Sequence, residues 1–226
     1  MTITETYLAF QIGSDSHFSD SQKQTLVREL AKPPEANEKG LSGRIRPHIA
    51  EIEGIGRVIV KHYFRGGVLR HVNQRTYLKT GKTRSEAEFE TLSRVRGLGV
   101  SAPEPVAFAS RPRGFIFYHA WLFTKEIPGA ETIADLSQAD SPRVARLLPE
   151  VEKQVTTLME NGIVHVDFHP GNVLVDGSDR IYIIDFDRSR TDNKNASGLA
   201  GFYASRWQRA IAKHGLPTFL NNLNLR

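Results

Sequence analysis

Two short apolar runs, Val173-Leu174-Val175 and Ile181-Tyr182-Ile183-Ile184, flank the turn-forming Asp176-Gly177-Ser178 and read as a β-hairpin. Polar groups stand at both ends of it. Asn172 enters the hairpin, Asp185 leaves it, and Asp167 lies five residues before Asn172 and eighteen before Asp185. Folding the hairpin brings its two ends together, so a carboxamide and a carboxylate converge next to a second carboxylate. Burying carboxylates beside apolar strands is costly unless they are paired or bind a metal. This spacing is the layout of a phosphoryl-transfer site. One Asp orients the attacking hydroxyl, while the Asn and second Asp hold the Mg²⁺ that bridges ATP phosphates. Asp176, Asp179, Asp192 and Asn193 read as turn and loop residues without a chemical role.

Composition removes several alternatives. The chain has no cysteine, which excludes disulfides, thiolate metal sites and a Cys nucleophile, and fits a reducing compartment. No apolar run reaches the roughly 18–20 residues that span a bilayer. The start, Met1-Thr2-Ile3-Thr4-Glu5, lacks the regions of a signal peptide, so the expectation is a cytoplasmic protein, soluble or peripheral. Net charge is +5 but uneven: no acidic residue falls between Gly54 and Ser85, where Arg57, Lys61, Arg65, Arg70, Arg75, Lys79, Lys82 and Arg84 all lie. Either this is a solvated face or it meets an anionic partner such as an acidic membrane surface, where each cation contributes about 1 kcal/mol. No nucleic-acid module accompanies it, so nucleic acid is not an expected partner.

Along the chain, a short helix is expected near Ser21–Leu30, ended by Lys32-Pro33-Pro34; the rest of residues 1–40 is ambiguous. His48–Ile52 and Arg57–Tyr63 read as strands. Phe89, Leu92 and Val95 recur at helical spacing between Thr83 and Leu98, and Gly97 and Gly99 stop that helix. Pro103 and Pro105 mark an extended crossover, and Phe115–Phe117 with Trp121–Phe123 reads as a strand pair. Pro128-Gly129 is the expected boundary between a strand-rich lobe, 1–127, and a helical lobe, 128–226, with a cleft between them. A helix is expected over Pro142–Asn161 with Ser141 as N-cap. Pro149 should kink it or separate 142–148 as its own piece.

With Val58-Ile59-Val60-Lys61, the His165–Asn172 block and Ile184-Asp185-Phe186-Asp187 on the page, the chain resembles the protein-kinase-like superfamily. More narrowly it is similar to the lipopolysaccharide core sugar kinases of the Kdo (3-deoxy-D-manno-octulosonic acid) type, through Lys61–Gly67, Thr124–Ala130 and Ile184–Arg190. The resemblance covers roughly Gly40 to Arg190. It implies an α+β, two-lobe, protein-kinase-like fold with a shortened helical second lobe, and ATP and Mg²⁺ as cofactors. It also implies that Lys61 binds the α/β-phosphates and that Glu88 pairs with Lys61. The competing reading makes Glu88 part of a capping box with Ser85. Thr83 and Glu86 offer the same box slightly earlier, which would free Glu88, and Glu86 is the alternative partner for the lysine. Gly43, within Gly40–Arg44, would sit in the phosphate loop, and Thr124 to Ile127, including Glu126, would form the adenine-facing hinge. Asp167 is the implied catalytic base; an Asp is a weak base, but the loose transition state demands little early proton removal. Asn172 and Asp185 are the implied metal ligands, and His165 braces the loop. His169 is open between substrate contact and a local loop role; Arg188 and Arg190 are open between anion binding and plain surface.

The departures point away from protein substrates. The phosphate loop has two glycines and no Gly-x-Gly-x-x-Gly, Asp187 replaces the usual glycine after Asp185-Phe186, and only about 40 residues follow without an Ala-Pro-Glu. The resulting expectation is a sugar kinase phosphorylating a Kdo hydroxyl, the 4-OH by resemblance, on an anionic Kdo-lipid A precursor. It would work peripherally at the cytoplasmic face of the bacterial inner membrane in lipopolysaccharide biosynthesis. The alternatives are a heptose kinase of the same family, a small atypical protein kinase or ATPase working with a partner complex, and a catalytically silent kinase-like module. The presence of Lys61, Asp167, Asn172 and Asp185 argues against the last.

Overall fold

The computed structural model describes residues 2–32, 48–63, 77–78, 81–113, 117–192 and 196–225. The chain divides into two compact units, one formed by 1–90 with 104–126 and the other by 91–103 with 127–226. Residues 91–103 thus go with the second unit, whereas the sequence reading kept 1–127 together.

The first unit is built on an antiparallel sheet. Its strands are β1 (Ile3–Tyr7), β2 (Phe10–Ser14), β3 (His48–Ile52), β4 (Gly56–His62), β5 (Tyr77–Leu78), β6 (Pro105–Arg113) and β7 (Phe117–Lys125). Their order is β1-β2-β6-β7-β4-β3, with β5 also pairing β7. Of the expected strand pair 115–117 with 121–123, residues 115 and 116 lie outside the described residues. Residues 117 and 121–123 belong to one strand, and its partner is the proline-flanked segment read as a crossover. Pro105 opens β6, and Pro112 lies beyond the part of β6 that pairs β2, so neither ring interrupts a two-sided ladder.

Helix α1 (Asp20–Ala31) begins with a capping box in which the Ser19 hydroxyl accepts from Gln22 N–H and the Gln22 side chain accepts from Ser19 N–H. It lays Leu26 and Leu30 on one face of the sheet, in a core with Phe10, Ile12, Ile52, Val58, Val60, Trp121 and Phe123. Gly13 of β2 lies against the Phe108 ring of β6, and a Cβ there would fall 2.0 Å from Phe108 Cζ. Gly13→Ala should therefore destabilise the protein by about 2 kcal/mol through overpacking, read as a lower denaturation midpoint at unchanged slope.

The second unit is helical with small sheets. It contains β8 (Glu131–Thr132), α3 (Ile133–Ala139), α4 (Ser141–Glu160), β9 (Ile163–Val164), β10 (Val173–Val175), β11 (Ile181–Ile183), β12 (Arg190–Thr191) and α5 (Ala196–His214). Helix α2 (Arg84–Gly97) contributes its first turns to the first unit and its end to the second. Two details of α4 differ from expectation. Asp140, not Ser141, is the N-cap, its carboxylate accepting from Arg143 N–H at 3.0 Å. The helix also continues through Pro149 as one element of 20 residues. Val144, Leu147, Leu148, Val151, Val155, Leu158 and Met159 form one buried stripe, and burying it on both sides of the proline outweighs the single lost backbone hydrogen bond.

Candidate active site

In the first unit, Lys61 sits next to the end of β4, opposite Leu122 of β7. Its Nζ donates to both Glu88 carboxylate oxygens, at 2.9 and 2.8 Å. Helix α2 can supply Glu88 because its start is closed by other residues: Thr83 Oγ1 accepts from Glu86 N–H at 3.2 Å, and Glu86 Oε2 accepts from Thr83 N–H at 3.3 Å. The cap is Thr83–Glu86, and Glu88 is the residue that meets the lysine. Glu88 is 3% exposed, so its charge needs these partners. Tyr63, two residues beyond Lys61 and on the same strand face, donates its hydroxyl to Glu88, and its ring lies 5.1 Å from the ammonium. Sequence reading missed Tyr63, although the period of two along β4 was the available signal.

The segment expected to serve as a hinge is partly committed to the sheet. Glu126 N–H donates to Arg57 O at 3.1 Å, and the Glu126 carboxylate pairs with the Arg57 guanidinium. That N–H is thus occupied, and any hinge contact by Glu126 has to use its carbonyl. Ile127 O accepts from Ala130 N–H at 3.4 Å. Gly43 and the rest of Gly40–Arg44 lie outside the described residues. Of the basic set between 57 and 84, the described members each have a partner, although Arg57 and Lys82 remain exposed. Arg57 meets Glu126, Lys61 meets Glu88, Lys82 meets Glu90 at 2.6 Å, and Arg84 lies over the Tyr63 ring.

In the second unit the hairpin forms with Val173 opposite Ile183, Leu174 opposite Tyr182 and Val175 opposite Ile181. The Asp176 carboxylate organises its turn. Desolvation pushes its pKa up, but hydrogen bonds from Arg180 N–H, Ser178 N–H and the Tyr182 hydroxyl together hold it below the usual carboxylate range. The turn's contribution is therefore present at neutral pH and fades as pH falls through that lowered value. At the open end, Ile184 N–H donates to Asn172 O at 3.0 Å, which fixes Asn172 beside the residue preceding Asp185. Asn172 Nδ2 donates to Asp167 O at 2.8 Å. Asn172 thus meets both neighbours, Ile184 through its backbone carbonyl and Asp167 through its side-chain Nδ2, which leaves Oδ1 as the atom able to ligate a cation. Asp185 has φ +64, a left-handed conformation that Asp tolerates better than most residues but that still costs energy.

His165 is fully buried. Its Nε2 lies 2.9 Å from Ile184 O, and because a carbonyl only accepts, that nitrogen carries the hydrogen. Its ring packs edge-on to Phe168 and Phe186, and Phe168 stacks on Trp207. This apolar cage holds the segments on either side of Asp167 and Asp185. His169 Nδ1 accepts from Gly171 N–H at 3.0 Å and caps the short turn Pro170–Asn172. Arg188, exposed, has φ +63, and Arg190 lies exposed on β12 opposite Val164.

Tyr203 of α5 is a further support that sequence reading did not find. Its hydroxyl accepts from His165 N–H at 2.9 Å and donates to Ile163 O at 2.8 Å, and burial pushes its pKa well above the usual tyrosine value. Removing the hydroxyl takes away its hydrogen bonds to two backbone groups. Tyr203→Phe should cost about 2 kcal/mol of stability by thermal melting.

The fold of these two units is protein-kinase-like. The solved structure described as WaaP in complex with acyl carrier protein aligns with TM-score 0.54 at 18% identity, over 82% of this chain and 76% of that one, a likeness in fold alone. The family model for the lipopolysaccharide kinase (Kdo/WaaP) family matches residues 46–204, and the chain belongs to that family. A 3-deoxy-D-manno-octulosonic acid kinase of Photobacterium profundum is 31% identical over 183 residues, covering 70% of this chain and 75% of that protein. The protein of the same name from Vibrio cholerae serotype O1 is 31% identical over 131 residues, covering 57% of this chain. The match spans 55% of the Vibrio protein, little more than half its length.

Proposed function

We propose that this chain is an ATP-dependent sugar kinase that phosphorylates a Kdo hydroxyl, the 4-OH, on an anionic glycolipid of the Kdo-lipid A type during assembly of the lipopolysaccharide inner core. The observation that carries the reading is the position of Asn172, whose side-chain Nδ2 donates to the Asp167 carbonyl while its backbone carbonyl accepts from Ile184 N–H, beside Asp185. A surface hairpin has no need of that arrangement, and a phosphotransfer site requires it.

Lys61, held by Glu88 and Tyr63, takes the α/β-phosphates. Asn172 Oδ1 and the Asp185 carboxylate would hold Mg²⁺. This oxygen pair suits a hard cation that is usually bound through one or two carboxylates plus substrate phosphates. Among the described residues no cluster of three or more His, Asp or Glu side chains forms a protein-only cage. When bound, Mg²⁺ would neutralise charge on the transferring phosphoryl group. Asp167 accepts a hydrogen bond from the sugar hydroxyl, aligns its oxygen for in-line attack and takes its proton late in the transfer. His165 acts as a positioning residue through Ile184. In support of a Kdo acceptor, the relatives from Vibrio cholerae and Photobacterium profundum are named 3-deoxy-D-manno-octulosonic acid kinases. On this reading the enzyme would work as a peripheral protein on the cytoplasmic face of the inner membrane, where ATP meets the glycolipid; no helix among the described residues is long and apolar enough to cross a bilayer.

The test is direct. Purified protein with ATP, Mg²⁺ and Kdo-lipid A should yield a glycolipid heavier by one phosphoryl group in mass spectrometry, with NMR placing the ester at the 4-position. Absence of that product, with radiolabel from ATP entering a protein instead, would overturn the sugar-kinase reading.

A further inference from the structure

No Asp or Glu falls between residues 193 and 226, a stretch that carries Lys194, Arg206, Arg209, Lys213 and Arg226. Helix α5 lies within it and buries Leu199, Tyr203, Trp207 and Ile211. Arg206, Arg209 and Lys213 follow one another at three- and four-residue steps, so they share a different face of the helix. Phe202, one turn before Arg206, extends the same row. Arg209 and Lys213 are exposed; Phe202 and Arg206 are half-exposed, and the Arg206 guanidinium lies over the Phe202 ring at 5.4 Å.

This ridge differs from the basic segment at 57–84. There, Arg57, Lys61 and Lys82 each meet a glutamate. On α5 none of the three cations forms an ion pair with a described carboxylate. Like charges at i,i+3 and i,i+4 repel on a helix surface, and solvated helices ordinarily relieve this with interleaved glutamates. α5 has none, so it keeps a repulsion that an external anionic surface would remove. An aromatic side chain at the end of a row of cations matches the pattern of side chains that settle at a headgroup boundary.

We propose that the Phe202–Arg206–Arg209–Lys213 ridge of α5 is the surface by which this protein docks on an anionic lipid bilayer. The proposal rests on the peripheral-membrane part of the reading above and not on its phosphotransfer chemistry. Each cation is worth about fivefold in partitioning to an anionic surface, so three together account for about 100-fold.

The experiment uses the full chain and co-sedimentation with vesicles of phosphatidylglycerol and phosphatidylcholine, against vesicles of phosphatidylcholine alone. The native protein should bind the anionic vesicles and not the neutral ones, and added salt should release it. The triple variant Arg206→Gln, Arg209→Gln, Lys213→Gln should lose about 100-fold in partitioning, and each single variant about fivefold if the triple does not fold. A control triple at exposed arginines, Arg113→Gln, Arg146→Gln, Arg180→Gln, changes net charge equally and should retain binding. The proposal is overturned by a native protein that ignores anionic vesicles, by equal binding to neutral ones, by equal loss in the control, or by RNA displacing the vesicles. Vesicle binding that survives while Kdo-lipid A stays unphosphorylated sinks the kinase reading and leaves this one standing. Phosphorylation of a water-soluble acceptor without vesicle binding does the reverse.

Discussion

Asp167→Asn should lower kcat for phosphoryl transfer by about 10³-fold while leaving ATP binding and the fold in place. The magnitude follows from the proposed role. A positioned carboxylate that accepts the hydroxyl proton contributes about 10²–10⁴-fold, and an amide of the same shape can occupy its place but cannot take the proton. The fold should survive because the contact that organises this loop uses the Asp167 backbone carbonyl, the acceptor for Asn172 Nδ2 at 2.8 Å, which the substitution does not touch. Asn172→Ala should behave differently. It removes the donor to Asp167 and the proposed metal oxygen together, so its activity loss should come with a higher Mg²⁺ requirement and a lower melting temperature. Single-turnover kinetics with nucleotide binding measured by calorimetry separates the two. A loss below tenfold in Asp167→Asn would remove that residue from the reacting atoms.

How much of this was legible in the sequence depends on whether the signal was local. The hairpin at 173–183 was readable because β-branched runs on either side of Asp-Gly-Ser admit little else. The offsets of Asp167, Asn172 and Asp185 then followed from pairing alone. The helix cap at Thr83 and Glu86 was readable as an alternative, and it is the one the fold uses. By contrast, the β1–β2 hairpin turns through Leu8 with φ +54, a residue with no turn preference, and no glycine, asparagine or proline announces it. The strand β6 was hidden because its prolines read as breaks, when each falls where the ladder makes no demand on its missing N–H. Pro149 misled in the same direction: the rule for helix interiors was outweighed by a buried stripe on both sides of it. Tyr203 lies 38 residues from His165, and a hydrogen bond at that range leaves no periodic trace. Local rules thus recovered the chemistry-bearing loop, while what braces it was set by tertiary packing.

Lys61 and Glu88 should prove unequal in stability and nearly equal in activity. Glu88 is 3% exposed while the Lys61 side chain is 29% exposed, so the two differ in what is left behind when the partner goes. Lys61→Met strands a buried carboxylate with the Tyr63 hydroxyl as its remaining described hydrogen bond of the trio. A fully buried pair would cost about 3–5 kcal/mol on losing one partner, and an exposed pair under about 1. With one partner at the surface the expected loss is about 2 kcal/mol. Glu88→Gln keeps an acceptor for Tyr63 and lets the ammonium turn toward water, so it should cost about 1 kcal/mol or less. In catalysis the order changes. Lys61→Met removes the proposed phosphate contact outright, and Glu88→Gln leaves the lysine present but unaimed. Both should lower kcat/KM by about 10²–10³-fold, and a misplacement of about 1 Å is enough to do so. The double variant should then be little worse than either single one, because the pair acts as a unit. Chemical denaturation and steady-state kinetics on the three variants give the whole cycle. Additive losses in kcat/KM would show that Glu88 acts independently of the lysine, and a Glu88→Gln enzyme of full activity would reduce the ion pair to a structural contact of the β4 strand and helix α2.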